Sequence, residues 1–179
     1  MKQEKIFDAN YFGYDINADA IKIAKNLKKI SFFNKDFLSS KEFNKTDLIL
    51  CADVFEHVDC DITFLKDILS RGKYFLFNVP LDISIRSLLN NNLISETFNN
   101  VGHIHFYNKQ IILLLLKYCG YDVIDSLYAK NFLEHSKKKS FKKILFSIPM
   151  FILDKFNEDL AATIFGGYSL TVLCKNPNY

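Results

Sequence analysis

The chain has 179 residues, enough for one ordinary domain with a sizeable core and a short appendage. Hydrophobic residues make up 49% and aromatics 15%, which excludes a disordered chain and puts most of the eighteen Phe and nine Tyr inside or on a contact surface. With 23 basic against 20 acidic residues, the charge is too balanced to argue for a nucleic-acid partner, and none is expected.

Tyr11–Tyr14 is a short aromatic run with strand character. Asn17 then caps a predicted helix whose buried stripe is Ile21, Ala24 and Leu27, with Lys22, Lys25 and Lys28 toward water. Ser31–Asn34 reads as a second strand, followed at once by Asp36. Asp47–Ala52 is an apolar run after a single charge, the pattern of an inner parallel strand covered on both faces. Phe64, Leu65, Ile68 and Leu69 mark one face of a helix. Gly72 punctuates, and Lys73–Val79 gives a strand that Pro80 is expected to stop.

Ile83–Leu89 suits a helix, whereas Asn90–Asn92 and Asn99–Asn100 are turn material. Asn108 is placed to cap a helix over Ile111–Tyr118, which Gly120 ends. Tyr121–Leu127 and Tyr168–Cys174 read as strands, expected to pair antiparallel at one edge. Strand–helix alternation with short connections predicts an α/β fold with a mostly parallel sheet and helices on both faces. We expect one domain over residues 1–179, with a lysine-rich insertion at about 130–160.

That insertion holds six lysines between Lys130 and Lys143 against one acid, Glu134, and leads into the apolar stretch Ile144–Leu153. Phe141, Ile144, Leu145, Ile148, Phe151 and Ile152 form a pattern that suits a peripheral membrane surface. A solvated loop leading into a helix that caps a pocket explains the same residues, and Pro149 favours it. The longest dense apolar run, Ile111–Leu116, falls far short of the roughly 20 residues a spanning helix needs. Met1–Phe7 shows no secretory core, and Cys51, Cys60, Cys119 and Cys174 form no CxxC pair, so reduced thiols in a cytoplasmic protein are expected.

Ligands of open parallel sheets bind beyond the C-terminal strand ends, where this sequence puts Asp15, Asp36, Asp53 and Asn78. A carboxylate after the first strand suits a ribose diol, and Asp36 suits an exocyclic purine amine. Both aspartates serve equally as turn formers. Neither GxGxxG, GxxxxGK[ST] nor GxSxG occurs. His57, just past the apolar strand, is placed either as a proton acceptor or as a helix-start packing residue. His103 and His105 alternate and would share a side in an extended segment, but no third ligand is obvious, so no metal is expected.

The order Tyr11–Asn17, Asn34–Phe37, Asp47–Val58, Gly72–Pro80 and Gly102–Phe106 resembles the class I S-adenosylmethionine-dependent methyltransferases, and within them the ubiquinone-biosynthesis type of small-molecule O-methyltransferase. Asp47-Leu48-Ile49-Leu50-Cys51-Ala52-Asp53-Val54-Phe55-Glu56-His57-Val58 is the most specific piece. The resemblance implies a Rossmann-like fold and S-adenosylmethionine as cofactor. It assigns Asp15 to the ribose, Ile16 and Asn17 to the adenosine surroundings, Asp36 to the adenine amine and Phe37 to the ring. It assigns Cys51, Ala52 and Asp53 to the methionine portion, and His57 and His103 to the acceptor side. It implies methylation of oxygen on a small or lipid-linked acceptor.

Members of the family begin with a strand and a glycine-rich loop that have no counterpart here. The resemblance therefore implies an N-terminally truncated sheet, with the absent strand falling between Tyr11–Tyr14 and Asp47–Ala52. Three situations would account for the open edges: a truncated or misassigned reading frame, complementation by another chain (a complementing N-terminal segment or a second copy in a homo-oligomer), or direct pairing of those two strands. A non-catalytic methyltransferase-like module is the alternative reading, and an NAD-binding oxidoreductase a weaker third.

Overall fold

The structure is a computed structural model that describes residues 9–27, 29–40, 45–130 and 141–179, excluding the side chains of 91 and 141–147. The chain divides into two compact units, Met1–Asn44 and Lys45–Tyr179.

In the first unit, β1 (Tyr11–Asp15) and β2 (Ile30–Asn34) pair in parallel, from Tyr11 opposite Ile30 to Asp15 opposite Asn34. The helix α1 (Ala18–Ala24) makes the crossover. Its start follows from Asn17, whose side-chain oxygen accepts from the backbone N–H groups of Asp19 and Ala20, satisfying donors the first helical turn cannot. Ile21 is buried, as its place in the stripe requires. The helix ends before the stripe is complete, so Leu27 is 58% exposed, and Lys28 lies outside the described residues. Aromatic packing ties the sheet together: Tyr14 stacks on Phe33 at 5.1 Å and meets Phe37 edge-on at 5.2 Å.

The second unit carries a four-stranded sheet in the order β3 (Thr46–Ala52), β4 (Gly72–Pro80), β6 (Ser169–Lys175), β5 (Asp122–Ala129). β3 and β4 run parallel, while β6 is antiparallel to both β4 and β5. The expected antiparallel pair is thus present, with β6 inside and β5 at the edge. Phe75, Phe77 and Val79 alternate along β4 and are wholly buried, and Tyr121 meets Phe75 and Phe77 edge-on at 4.9 and 5.2 Å. Leu65 and Ile68 of α2 (Asp61–Leu69), with Ile112 and Leu116 of α5 (Lys109–Tyr118), complete this core.

Two expectations need correction, and one alternative falls away. Among the described residues β3 pairs only with β4, so it is an edge of its sheet, not an inner strand. Leu48 and Leu50 are accordingly 54% and 65% exposed. Among the described residues no pairing joins β1 to β3, so direct pairing of Tyr11–Tyr14 with Asp47–Ala52, one of the three arrangements weighed for the open edges, is not found.

Finally, the asparagine run forms helix and not turn. The helix α3 (Ile85–Leu89) is followed by α4 (Asn91–Glu96) and a π-helical turn, Thr97–Val101. The physical reason is capping: the Asn90 side chain accepts from the Asn92 N–H, and Gly102, with φ of 84°, closes the π turn in a left-handed conformation.

Residues 131–140, and with them Lys137, Lys138 and Lys139, lie outside the described residues. The insertion continues as α6 (Phe141–Phe156), which contains Pro149, and α7 (Glu158–Phe165). Lys130 is tied down, its Nζ 2.6 Å from Asp154 and 2.7 Å from Glu158. No helix among the described residues is long and apolar enough to cross a membrane.

Candidate functional site

Asp15 closes β1, and its exposed carboxylate leads directly into the cap of α1. Its Oδ1 accepts from the Asn17 N–H at 2.7 Å, and Asn34 donates to the carbonyl oxygens of Asp15 and Ile16 at 3.0 and 2.9 Å. Asp36 repeats the arrangement after β2, with Oδ1 accepting from the Leu38 N–H at 2.9 Å. Both aspartates therefore act as turn formers through one oxygen. The second oxygen of each is outside those bonds. Ile16, 80% exposed, presents apolar surface next to Asp15. Two exposed carboxylates that accept hydrogen bonds, with the exposed Ile16 and the half-buried Phe37 as apolar surface, suit the hydroxyl and amine donors of a ribose diol and an aminated purine.

In the second unit, the C-terminal ends of β3 and β4 are joined to each other and to the N-terminal part of the antiparallel β6. The Asp53 N–H donates to the Asn78 carbonyl at 3.0 Å, and the Asn78 amide donates to Asp53 Oδ1 at 3.2 Å. The Thr171 hydroxyl donates to Asn78 Oδ1 at 3.0 Å. Asp53 itself has φ of 50°, a left-handed conformation that aspartate tolerates better than most residues. Cys51 is buried behind it, and burial foremost, then the Glu56 and Asp53 carboxylates, pushes its thiol up to about 12. Ala52 is exposed.

Past β3 the chain makes a 3-10 turn, Phe55–His57, anchored by the wholly buried Phe55. The Glu56 carbonyl accepts from the N–H groups of Ile104 and His105, which holds the loop after Gly102 against this turn. His57 Nδ1 donates to the Gly102 carbonyl at 2.9 Å, and His103 Nδ1 donates to Asp82 Oδ2 at 2.7 Å. The two rings lie edge to face, 4.9 Å apart. The structure thus brings His57 and His103 together. His105 goes elsewhere, its Nε2 donating to the Val58 carbonyl at 2.9 Å.

Two residues of this cluster escaped the sequence reading. Glu56 is wholly buried with neither carboxylate oxygen hydrogen-bonded, and burial raises its pKa above the ordinary carboxylate range. Its adjacency to His57 was visible, but an acid beside a histidine normally reads as surface. Asp82, two residues beyond β4, carried no signal at all, because only the tertiary fold takes it to His103. Asp82 also lines a hollow of about 160 Å³ with Leu81, Ser84, Arg86 and Phe165. A second, open hollow of about 400 Å³ is lined by Ile85, Leu89, Ile164 and Phe165 together with Arg86 and Asn90.

Acids at the strand ends of each unit, and in the second unit a histidine pair past β3, accompany an α/β fold of the Rossmann-like type. The chain belongs to the methyltransferase-domain family, whose profile matches residues 1–126.

No curated protein matches the sequence. Among solved structures it is similar to an S-adenosylmethionine-dependent methyltransferase from Archaeoglobus fulgidus, at 20% identity and a TM-score of 0.57, covering 92% of this chain and 75% of that one. It is similar to the N-methyltransferase NodS from Bradyrhizobium japonicum, solved with S-adenosyl-L-homocysteine, at 14% identity and 0.53, covering 93% and 66%. It is also similar to the [4+2]-cyclase SpnF, at 11% and 0.56, covering 93% and 66%. At these identities the likeness is one of fold, and the fold hosts more than one chemistry.

Proposed function

We propose that the protein transfers the methyl group of S-adenosylmethionine to an oxygen of a small or lipid-linked acceptor, as in the ubiquinone-biosynthesis type. The observation that carries this reading is Asp15, an exposed carboxylate at the C-terminal end of β1 with one oxygen outside its own turn. Asp15 would accept from the ribose hydroxyls, beside Ile16 and Asn17. Asp36 would take the adenine amine, with Phe37 against the ring. Cys51, Ala52 and Asp53 would line the methionine portion. The bound cofactor supplies a sulfonium-activated methyl group. His57 and His103 would orient the acceptor and take its proton, since alignment and deprotonation are what an in-line transfer to oxygen requires.

Calorimetric titration with S-adenosyl-L-homocysteine is expected to show low-micromolar binding, weakened by at least about tenfold in Asp15→Ala, the loss of a charge-assisted hydrogen bond or two. Absence of binding by this chain, alone or with an N-terminal extension, would end the proposal. The second reading, a non-catalytic module, draws support from the exposed Leu48 and Leu50 on the β3 edge. It expects no turnover with any acceptor in a broad panel.

A further inference from the structure

The helix α6 presents apolar side chains where a surface helix normally carries polar ones. Its inner side is fixed. Met150 and Asp154 are buried, and Asp154 accepts from the Tyr168 hydroxyl at 2.8 Å and from Lys130 Nζ at 2.6 Å. With those bonds in place, the opposite side of the helix must face water. Ile148, Ile152 and Phe156 recur there at intervals of four, which stacks them in one row. Each is more than half exposed, Phe156 at 85%. Turning the helix to hide that row would draw a buried carboxylate away from both of its partners and leave its charge unpaired.

Pro149 does not interrupt the row. The helix runs through it, and Ile148 before it and Ile152 after it are both exposed. Among the described residues, α6 contributes nothing to the lining of either the hollow at Asp82 or the hollow at Ile85.

The charge of the helix says what covers the row. Lys142, Lys143 and Lys155 belong to α6, and its one acid, Asp154, is already paired with Lys130. A second copy of this face, packed about a two-fold axis, would set lysine against lysine whichever way the helices ran. Apolar surface flanked by cations with no free acid instead complements a lipid layer with anionic head groups.

We propose that the outer face of α6 docks the protein on an anionic bilayer surface, with Ile148, Ile152 and Phe156 entering the acyl boundary and the positive charge of the helix drawn to the head groups. The 16 residues of α6 make a helix roughly 24 Å long, which lies along the interface and does not cross it. Docking concentrates the protein where a lipid-linked molecule would reside, but the inference stands without the methyl-transfer reading.

The test is co-sedimentation of the full chain, without cofactor, with vesicles of phosphatidylcholine alone and of phosphatidylcholine containing one-third phosphatidylglycerol. Binding to the anionic vesicles is expected to be at least about tenfold tighter than to the neutral ones, and to weaken at high salt. Ile152→Gln combined with Phe156→Gln removes exposed apolar surface and keeps good helix formers. This pair should retain the parent Tm and lose at least about tenfold in partition. Lys142→Gln combined with Lys143→Gln should lose about tenfold or more on anionic vesicles, roughly fivefold per lysine, and nothing on neutral ones. Leu50→Gln, on the β3 edge, should bind as the parent does.

Failure to bind anionic vesicles, equal partition onto both kinds, parent-like binding by the folded Ile152→Gln/Phe156→Gln pair, or loss of binding in Leu50→Gln would each overturn the docking face. So would self-association in vesicle-free solution that the Ile152→Gln/Phe156→Gln pair abolishes, which would give the face to a second copy. No cofactor enters these measurements, so their failure leaves methyl transfer untouched. Failure of S-adenosyl-L-homocysteine to bind leaves the docking result standing.

Discussion

Asp15 performs two tasks that a substitution can separate. Its Oδ1 caps the Asn17 N–H, and its charge is available for a sugar. Asp15→Asn keeps an acceptor for the turn and loses the charge. It should retain the parent Tm while weakening S-adenosyl-L-homocysteine binding by about tenfold, whereas Asp15→Ala should lose both, with about 1 kcal/mol of stability. Calorimetry and thermal melting on the same samples distinguish the two. The thiols of Cys51 and Cys174 make a second prediction. Burial foremost holds each near pKa 12 in the folded chain, against 9.0 for an ordinary thiol here. Raised folded-state values leave stability intact below about pH 9, and it falls as pH climbs toward 12 because the unfolded chain ionises first. Denaturant midpoints measured across that window should drop, and Cys51→Ala should flatten the slope.

The helix α5 shows how much an element owes to its two ends. Asn108 accepts from the Ile111 N–H at 2.9 Å, so Asn108→Ala should cost about 1 kcal/mol. Gly120 has φ of 97°, and a Cβ there would lie 3.2 Å from Leu69 Cδ2. Gly120→Ala should cost about 1–2 kcal/mol from the left-handed backbone alone. Urea unfolding of both variants checks these values. Both residues were legible in the sequence, because caps are local chemistry. So were β1, β2, β4 and the β5–β6 pair, whose apolar patterns need no distant partner. The asparagine run over 90–101 was not, since polar residues take helix or turn according to what caps them. Asp15, Asp36 and Asp53 could be located as strand-end acids, and His57 and His103 as a plausible acceptor side. That Glu56 is buried without a partner, and that Asp82 meets His103, depends on how β3, β4 and the Gly102 loop pack, which no local pattern encodes.

For the protein in solution, β3 has the largest effect. Among the described residues β3 is paired on one side only, with Leu48 and Leu50 exposed, and such a strand is a template for association with another chain. Sedimentation velocity should reveal concentration-dependent self-association, which Leu50→Lys should suppress without lowering Tm. A parent chain that stays monomeric at every concentration would contradict this. The Asp53–Asn78–Thr171 chain bears on the same sheet in another way. Asn78 has an oxygen at one end of its amide and a nitrogen at the other, and the threonine hydroxyl takes the oxygen, so the nitrogen must turn toward the aspartate. Were that hydroxyl absent, the amide would be free to swivel and set oxygen against oxygen. A methyl-sized edit in the last strand would thus be felt at the tip of the first strand of this unit, which makes the C-terminal strand a steward of how Asp53 is presented and not merely a neighbour of β4.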